Sequence, residues 1–192
     1  MEKYLIVLAG LPGTGKTTIA NILKQNLYNY EIISQNAIRR EYGLKKMPLR
    51  QEEVLRKIDR KTAELLNSGK GVIFDSVNRY LFRRHQMYGI ASCCGKKVLT
   101  LEVICREDEA KARMRRRPKG DGLISDPYNP RVYDKMAESW ENINLDFEHP
   151  GEDHVSYVQI DTLEKFCFPK IIGKGMKKDI EKIGRILINN KI

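Results

Sequence analysis

The chain contains no long apolar run. Nothing in it approaches the roughly 20 residues that a membrane-spanning helix requires, and its first residues enter a strand-like segment rather than a basic-then-apolar leader. The expectation is a cytoplasmic protein without a membrane partner. Cysteine is scarce: the four, at 93, 94, 105 and 167, show no C-x-x-C spacing, and the adjacent pair Cys93 and Cys94 is poorly arranged for a mutual disulfide or a zinc site. His85, His149 and His154 likewise have no partner at zinc-ligand spacing. No G-x-S-x-G nucleophile turn occurs. A disulfide scaffold, a zinc module and a serine hydrolase of that type therefore find no support.

Positive charge is plentiful. Lysine and arginine number 35 against 25 acidic residues, a formal net charge of +10, which points to a polyanionic partner such as nucleic acid, with solubility as the plainer reading. A length of 192 residues, 41% of them apolar, suits one domain with a sizeable core and leaves no room for a second.

Short β-type runs alternate with helical patterns. Candidate strands are Tyr4 to Ala9, Glu31 to Ser34, Gly71 to Phe74, Lys97 to Ile104 and His154 to Ile160. Five strands with helices between them predict a parallel sheet in a three-layer α/β/α domain. Val54, Ile58, Thr62, Leu65 and Leu66 recur at helical spacing before the stop Asn67-Ser68-Gly69. Met176, Ile180, Ile183 and Leu187 mark a C-terminal helix over about 175–190, with Lys177, Lys178, Lys182 and Arg185 off the stripe as a solvated basic face. Glycines and prolines break every period from Pro118 to Arg131, which reads as a loop before a helical stretch from Val132 to Leu145. A lid over about 113–135 is expected there. Gly173-Lys174-Gly175 reads as a turn leading into the last helix.

The first strand runs into Gly10-Leu11-Pro12-Gly13-Thr14-Gly15-Lys16-Thr17-Thr18, which matches G-x-x-x-x-G-K-[ST] between an apolar strand and a helix start. That is a phosphate-binding loop. Glycines at 10, 13 and 15 let successive N–H groups face phosphate oxygens, and the helix beginning there presents unpaired N–H groups and its positive dipole end. Lys16 adds a mobile charge and Thr17 a hydroxyl for Mg²⁺. Gly10, Gly13, Thr14, Gly15, Lys16, Thr17 and Thr18 are the candidate residues for a nucleoside triphosphate.

Val72-Ile73-Phe74-Asp75 is an apolar strand ending in a carboxylate. In an open parallel sheet ligands gather at the carboxyl ends of strands, so Asp75 is a candidate for holding Mg²⁺ with Thr17. An aspartate in this position is also a common turn former. Phosphoryl transfer needs charge on three oxygens neutralised, and Arg113 and Arg117, four residues apart on one helix face, are candidates for that task, with Arg116 a turn from Arg113. A solvated face or a nucleic-acid patch is the competing reading.

Together with the loop, the segments Ile32 to Glu41, Val72 to Asn78 with Arg83-Arg84, Arg113 to Arg117, and Val132 to Met136 with Trp140-Glu141 resemble the small phosphate-binding-loop kinases related to bacteriophage-type polynucleotide kinase. Zeta-toxin, gluconate-kinase and phosphoseryl-tRNA-kinase relatives belong to the same group. The likeness covers about residues 3 to 162. It implies ATP and Mg²⁺ as cofactors, catalytic roles for Lys16, Asp75, Arg113, Arg117 and Asn36, and acceptor-side roles for Asn36, Arg39 and Asn78. The activity it implies is transfer of the γ-phosphoryl group to a hydroxyl of RNA or another polynucleotide, or else of a small metabolite or nucleoside.

One position departs from that pattern. Asn36 stands where these kinases usually have the aspartate that accepts the proton of the attacking hydroxyl, and an amide has no basic lone pair near neutral pH. Three readings stay open: positioning alone carries catalysis, Asp75 or another carboxylate takes the proton, or the chain is a regulatory ATPase acting on an RNA or protein complex.

Overall fold

The computed structural model describes residues 3–41, 51–117, 128–143, 154–163, 171–172 and 176–190. In chain order the elements are β1 (Leu5–Ala9), α1 (Lys16–Asn26), β2 (Tyr30–Ser34), α2 (Gln35–Glu41), α3 (Gln51–Asn67), β3 (Gly71–Asp75) and α4 (Leu81–Cys93). They continue with β4 (Val98–Ile104), α5 (Glu107–Arg115), α6 (Pro130–Glu138), β5 (Val155–Asp161), β6 (Ile171–Ile172) and α7 (Lys177–Asn189).

The strands form one sheet in the order β2-β3-β1-β4-β5-β6. The five expected strands are there and mutually parallel. The sheet also has a sixth, antiparallel strand of two residues at the β5 edge, too short to leave a periodic signal in sequence.

β1 is buried along its whole length, as expected of a central parallel strand covered on both faces. Its alternate side chains serve two cores. Ile6 and Leu8 pack with Ile19, Leu23, Ile180, Ile183 and Leu187 of α1 and α7. Leu5 and Val7 pack with Val54, Ile58, Leu66, Met87 and Tyr88 of α3 and α4. The two apolar stripes read from the sequence are thus core-facing. Lys177, Lys178, Lys182 and Arg185 are exposed on α7.

The helix expected from Val132 is shifted. It begins at Pro130, with the Asn129 side chain accepting from Arg131 N at 3.0 Å, and ends at Glu138. Asn129-Pro130 reads as loop in sequence, yet in the fold the pair is an N-cap and a first-turn proline, the two residue types that best start a helix. The middle of the expected lid, 118–127, and the Gly173-Lys174-Gly175 turn lie outside the described residues.

Candidate functional site

The loop from Gly10 to Gly15 joins the carboxyl end of β1 to the amino end of α1, at the centre of the sheet. Gly10 N donates to Val77 O at 3.1 Å, tying the loop to the exit of β3. At Gly13 the backbone has φ +84°, and a Cβ would lie 2.2 Å from Ala110 O, so only glycine lets the loop touch α5. Gly15 caps α1 at φ +104°, a left-handed conformation that favours glycine.

Lys16 is buried, and its Nζ donates to Leu11 O at 2.7 Å and, more weakly, to Thr14 Oγ1 at 3.4 Å. Burial lowers its pKa from 10.5 to about 8; the Asp75 charge opposes that shift and the Arg117 charge adds to it. An ammonium held this way has lost solvation, and a phosphate beside it would offset that loss with an opposite charge. Thr14 Oγ1 donates to Leu11 O at 2.9 Å. Thr17 Oγ1 donates to Asp75 Oδ2 at 2.9 Å, and Asp75 ends β3 in register with Leu8 and Ser34. A hydroxyl and a carboxylate converging beside a phosphate loop are hard oxygen donors suited to Mg²⁺. The donor set fits the ion.

One cleft gathers most of the candidates. Its loop side is Pro12, Gly13, Gly15, Lys16, Thr17 and Thr18, and Asp75, Ser76 and Val77 continue it from β3. Across from these stand Gln35, Asn36 and Arg39 of α2, while Arg117, Val132 and Met136 close the remaining side. Arg39 NH1 donates to Asn36 Oδ1 at 3.4 Å and NH2 to Gln51 Oε1 at 3.0 Å, while its buried Nε has no partner among the described residues. Burial lowers the Arg39 pKa, but a guanidinium stays charged. The Ser76 hydroxyl donates to Gln35 Oε1.

Arg113 and Arg117 separate in the structure. Arg113 Nε donates to Glu109 Oε1 at 3.1 Å and NH1 to Thr162 Oγ1 at 2.9 Å. It lines a second groove with Gly15, Thr18, Ile22, Thr162 and Asn190. Arg117, just past the end of α5, is exposed and lines both openings. Arg116 lies 3.8 Å from Glu109 and lines neither.

Asn78 is not among the cleft residues. It sits buried at φ +48°, with Nδ2 donating to Leu8 O at 2.7 Å. Fully buried Arg84 donates to the carbonyls of Asn78 and Arg79 at 3.1 and 3.2 Å and to Asn142 O at 3.3 Å. These contacts brace the turn behind Asp75 rather than face a ligand.

Gln35, Gln51 and Thr162 went unread in the sequence. Thr162 sits just past β5, the positional rule that picked out Asp75, but a threonine after a strand carries no signature of its own. Gln51 reaches Arg39 only because α3 returns beside α2.

Comparison with solved structures shows the fold to be that of the P-loop kinase-like proteins. A protein from Chloroflexus aurantiacus described as a candidate kinase aligns with a TM-score of 0.66 at 17% identity, over 97% of this chain and 100% of that one. Chaetomium thermophilum Kti12, solved in complex with ADP-AlF3, aligns with a TM-score of 0.63 at 21% identity, over 97% and 96%. A chain of the Pnkp1/Rnl/Hen1 complex aligns with a TM-score of 0.54 at 21% identity; the match covers 62% of this chain but only 40% of that protein. No curated protein sequence matches. Residues 4–149 match the model of the family described as chromatin associated protein KTI12, and the chain belongs to that family.

Proposed function

We propose that this chain binds ATP with Mg²⁺ and transfers the γ-phosphoryl group to a hydroxyl, residues 1–192 acting as one P-loop domain. The observation that carries the reading is a single cleft with phosphate-loop residues Lys16 and Thr17 on one side and Asn36 and Arg39 on the other, Asp75 lying between them. Gly10, Gly13, Thr14, Gly15, Lys16 and Thr18 hold the triphosphate, and Thr17 and Asp75 hold the metal. Mg²⁺ there would neutralise charge on the phosphate oxygens. Lys16 and Arg117 offset the charge that develops on the transferred group. Arg39 and Asn36 orient the acceptor, and Arg113 meets the nucleotide from its other side. Asn78 supports the acceptor side indirectly, by fixing the turn after β3. The helices flanking the lid region, α5 and α6, supply Arg113, Arg117, Val132 and Met136.

For the acceptor we favour RNA or another polynucleotide end. The net charge of +10 supports a polyanion. So do Tyr80 and Phe82, 41% and 67% exposed just past the cleft strand, with the Arg79 guanidinium 4.4 Å over the Tyr80 ring. Exposed rings beside a guanidinium suit base stacking. A nucleoside or small metabolite is the other acceptor the cleft admits.

A second reading, a regulatory ATPase working on an RNA or protein complex, is favoured by one observation. Asp75 is the cleft's carboxylate among the described residues and is already bonded to Thr17, while Asn36 is an amide bonded to Arg39. The attacking hydroxyl then lacks a dedicated base, and water can take its place. Transfer of label from γ-labelled ATP with Mg²⁺, offered RNA and a metabolite extract side by side with Lys16→Ala as the blank, separates the two. Label in either acceptor supports the kinase; label only in free phosphate replaces it with the ATPase.

A further inference from the structure

We propose that Thr162 is a positioning residue for the nucleotide: its hydroxyl locks the phosphate loop to Arg113 and holds that guanidinium toward the nucleoside end of the bound ligand. The inference rests on the nucleotide reading given above and assigns a residue that belongs neither to the loop motif nor to any of the segments that carry the family resemblance.

The backbone at Thr162 is fixed first. Its N–H donates to Ile104 O at 3.1 Å, and Leu163 N donates to the Asp161 carboxylate at 2.9 Å. From that anchor Thr162 Oγ1 lies 3.0 Å from Thr14 O, 2.9 Å from Arg113 NH1 and 3.5 Å from Ile104 O. A hydroxyl has a single hydrogen to donate. The nearer carbonyl, Thr14 O in the phosphate loop, takes it, and the oxygen accepts from Arg113. The methyl group of Thr162 packs on the loop as well, 3.3 Å from where a Gly15 Cβ would stand. One side chain therefore touches the loop through both its branches and the lid helix through its oxygen.

Arg113 is gripped from its other side by Glu109, so its head has little freedom. The groove it lines with Ile22, Thr162 and Asn190 shares Gly13, Gly15, Thr18 and Arg117 with the acceptor cleft but contains neither Asn36 nor Asp75. A nucleotide with its phosphates in the loop turns its γ end to the cleft and its nucleoside to this groove. Contacts at the nucleoside end are made equally in the ground state and the transition state, so Thr162 acts on affinity and leaves the chemical step alone.

Isothermal titration of ATP with Mg²⁺ into the full chain tests this, with γ-phosphate release measured in parallel. Thr162→Val keeps the packing methyl and removes the hydroxyl; Thr162→Ala removes both without crowding Arg113. Both variants are expected to weaken binding about tenfold, the scale of one hydrogen bond to a charged group, with kcat nearly unchanged. Thr162→Ser is expected to restore affinity. In an Arg113→Ala background, Thr162→Val should cost less than it does in the wild type, because one of the hydroxyl's two contacts is already gone. Unchanged affinity in both Thr162→Val and Thr162→Ala, a serine variant as weak as valine, or additive losses in the double variant would each overturn the assignment. A wild-type chain that fails to bind ATP would overturn the nucleotide reading itself, a different result from a wild type that binds and a valine variant that binds equally well.

Discussion

The Thr17 hydroxyl donates to the Asp75 carboxylate across 2.9 Å, joining the first turn of α1 to the last residue of β3. The sheet order that sets β3 beside β1 makes this contact, and it brings together two hard oxygen donors of the kind that would suit Mg²⁺ in the proposed reading.

Asp75→Asn keeps the shape and removes the charge. The expected result is a rise in the Mg²⁺ concentration for half-maximal ATP turnover of on the order of tenfold, the scale of one lost charged oxygen donor. A Mg²⁺ titration checks it. An unmoved midpoint would take Asp75 out of the metal site.

Lys16 carries a pH signature. Its folded pKa, about 8, lies below the ordinary 10.5. Below pH 8 it is charged in both folded and unfolded chains, and burial of that charge costs about 3 kcal/mol as an upper figure. As pH rises from 8 toward 10.5 the folded chain has lost the proton and the unfolded chain still holds it, so this group's contribution to stability increases. Lys16→Met should therefore raise denaturation stability at pH 7, with the gain shrinking by pH 10, while abolishing nucleotide binding. ATP affinity of the wild type should fall above pH 8, where the lysine must take up a proton to bind. Urea melts at two pH values and a pH series of titrations read both effects.

Asn36→Asp places a carboxylate where the kinase resemblance leads one to expect it, beside Arg39. Transfer to a hydroxyl acceptor is expected to increase by about 100-fold, the lower range of general-base assistance. If transfer stays flat while ATP binding is intact, the cleft uses another base or water is its acceptor.

Gly13→Ala places a side chain at φ +84° and 2.2 Å from Ala110 O. Strain and the displacement of α5 should cost ~2 kcal/mol or more, seen as a lower melting midpoint together with weaker ATP binding. A neutral outcome would show that the loop does not rest on α5 in solution.

The alternation of strand and helix, the phosphate loop and the two apolar stripes were legible in sequence because each is written in local periodicity or in residues whose backbone freedom is special. Lys16 and Thr17 are adjacent along the chain, so the motif that makes them candidates needs no fold to be read. Tertiary structure alone decided what crosses elements. Asp75 meets Thr17, and Asn36 meets Arg39 while Gln51 holds the arginine from α3. Arg113 and Arg117, indistinguishable as a four-residue repeat, diverge because one finds Glu109 and Thr162 within reach while the other passes the end of α5 into the cleft. Asn78 turned inward because Leu8 O offered it a buried acceptor. Hydrogen bonds between residues tens of positions apart depend on strand order and helix return, which local propensity does not encode.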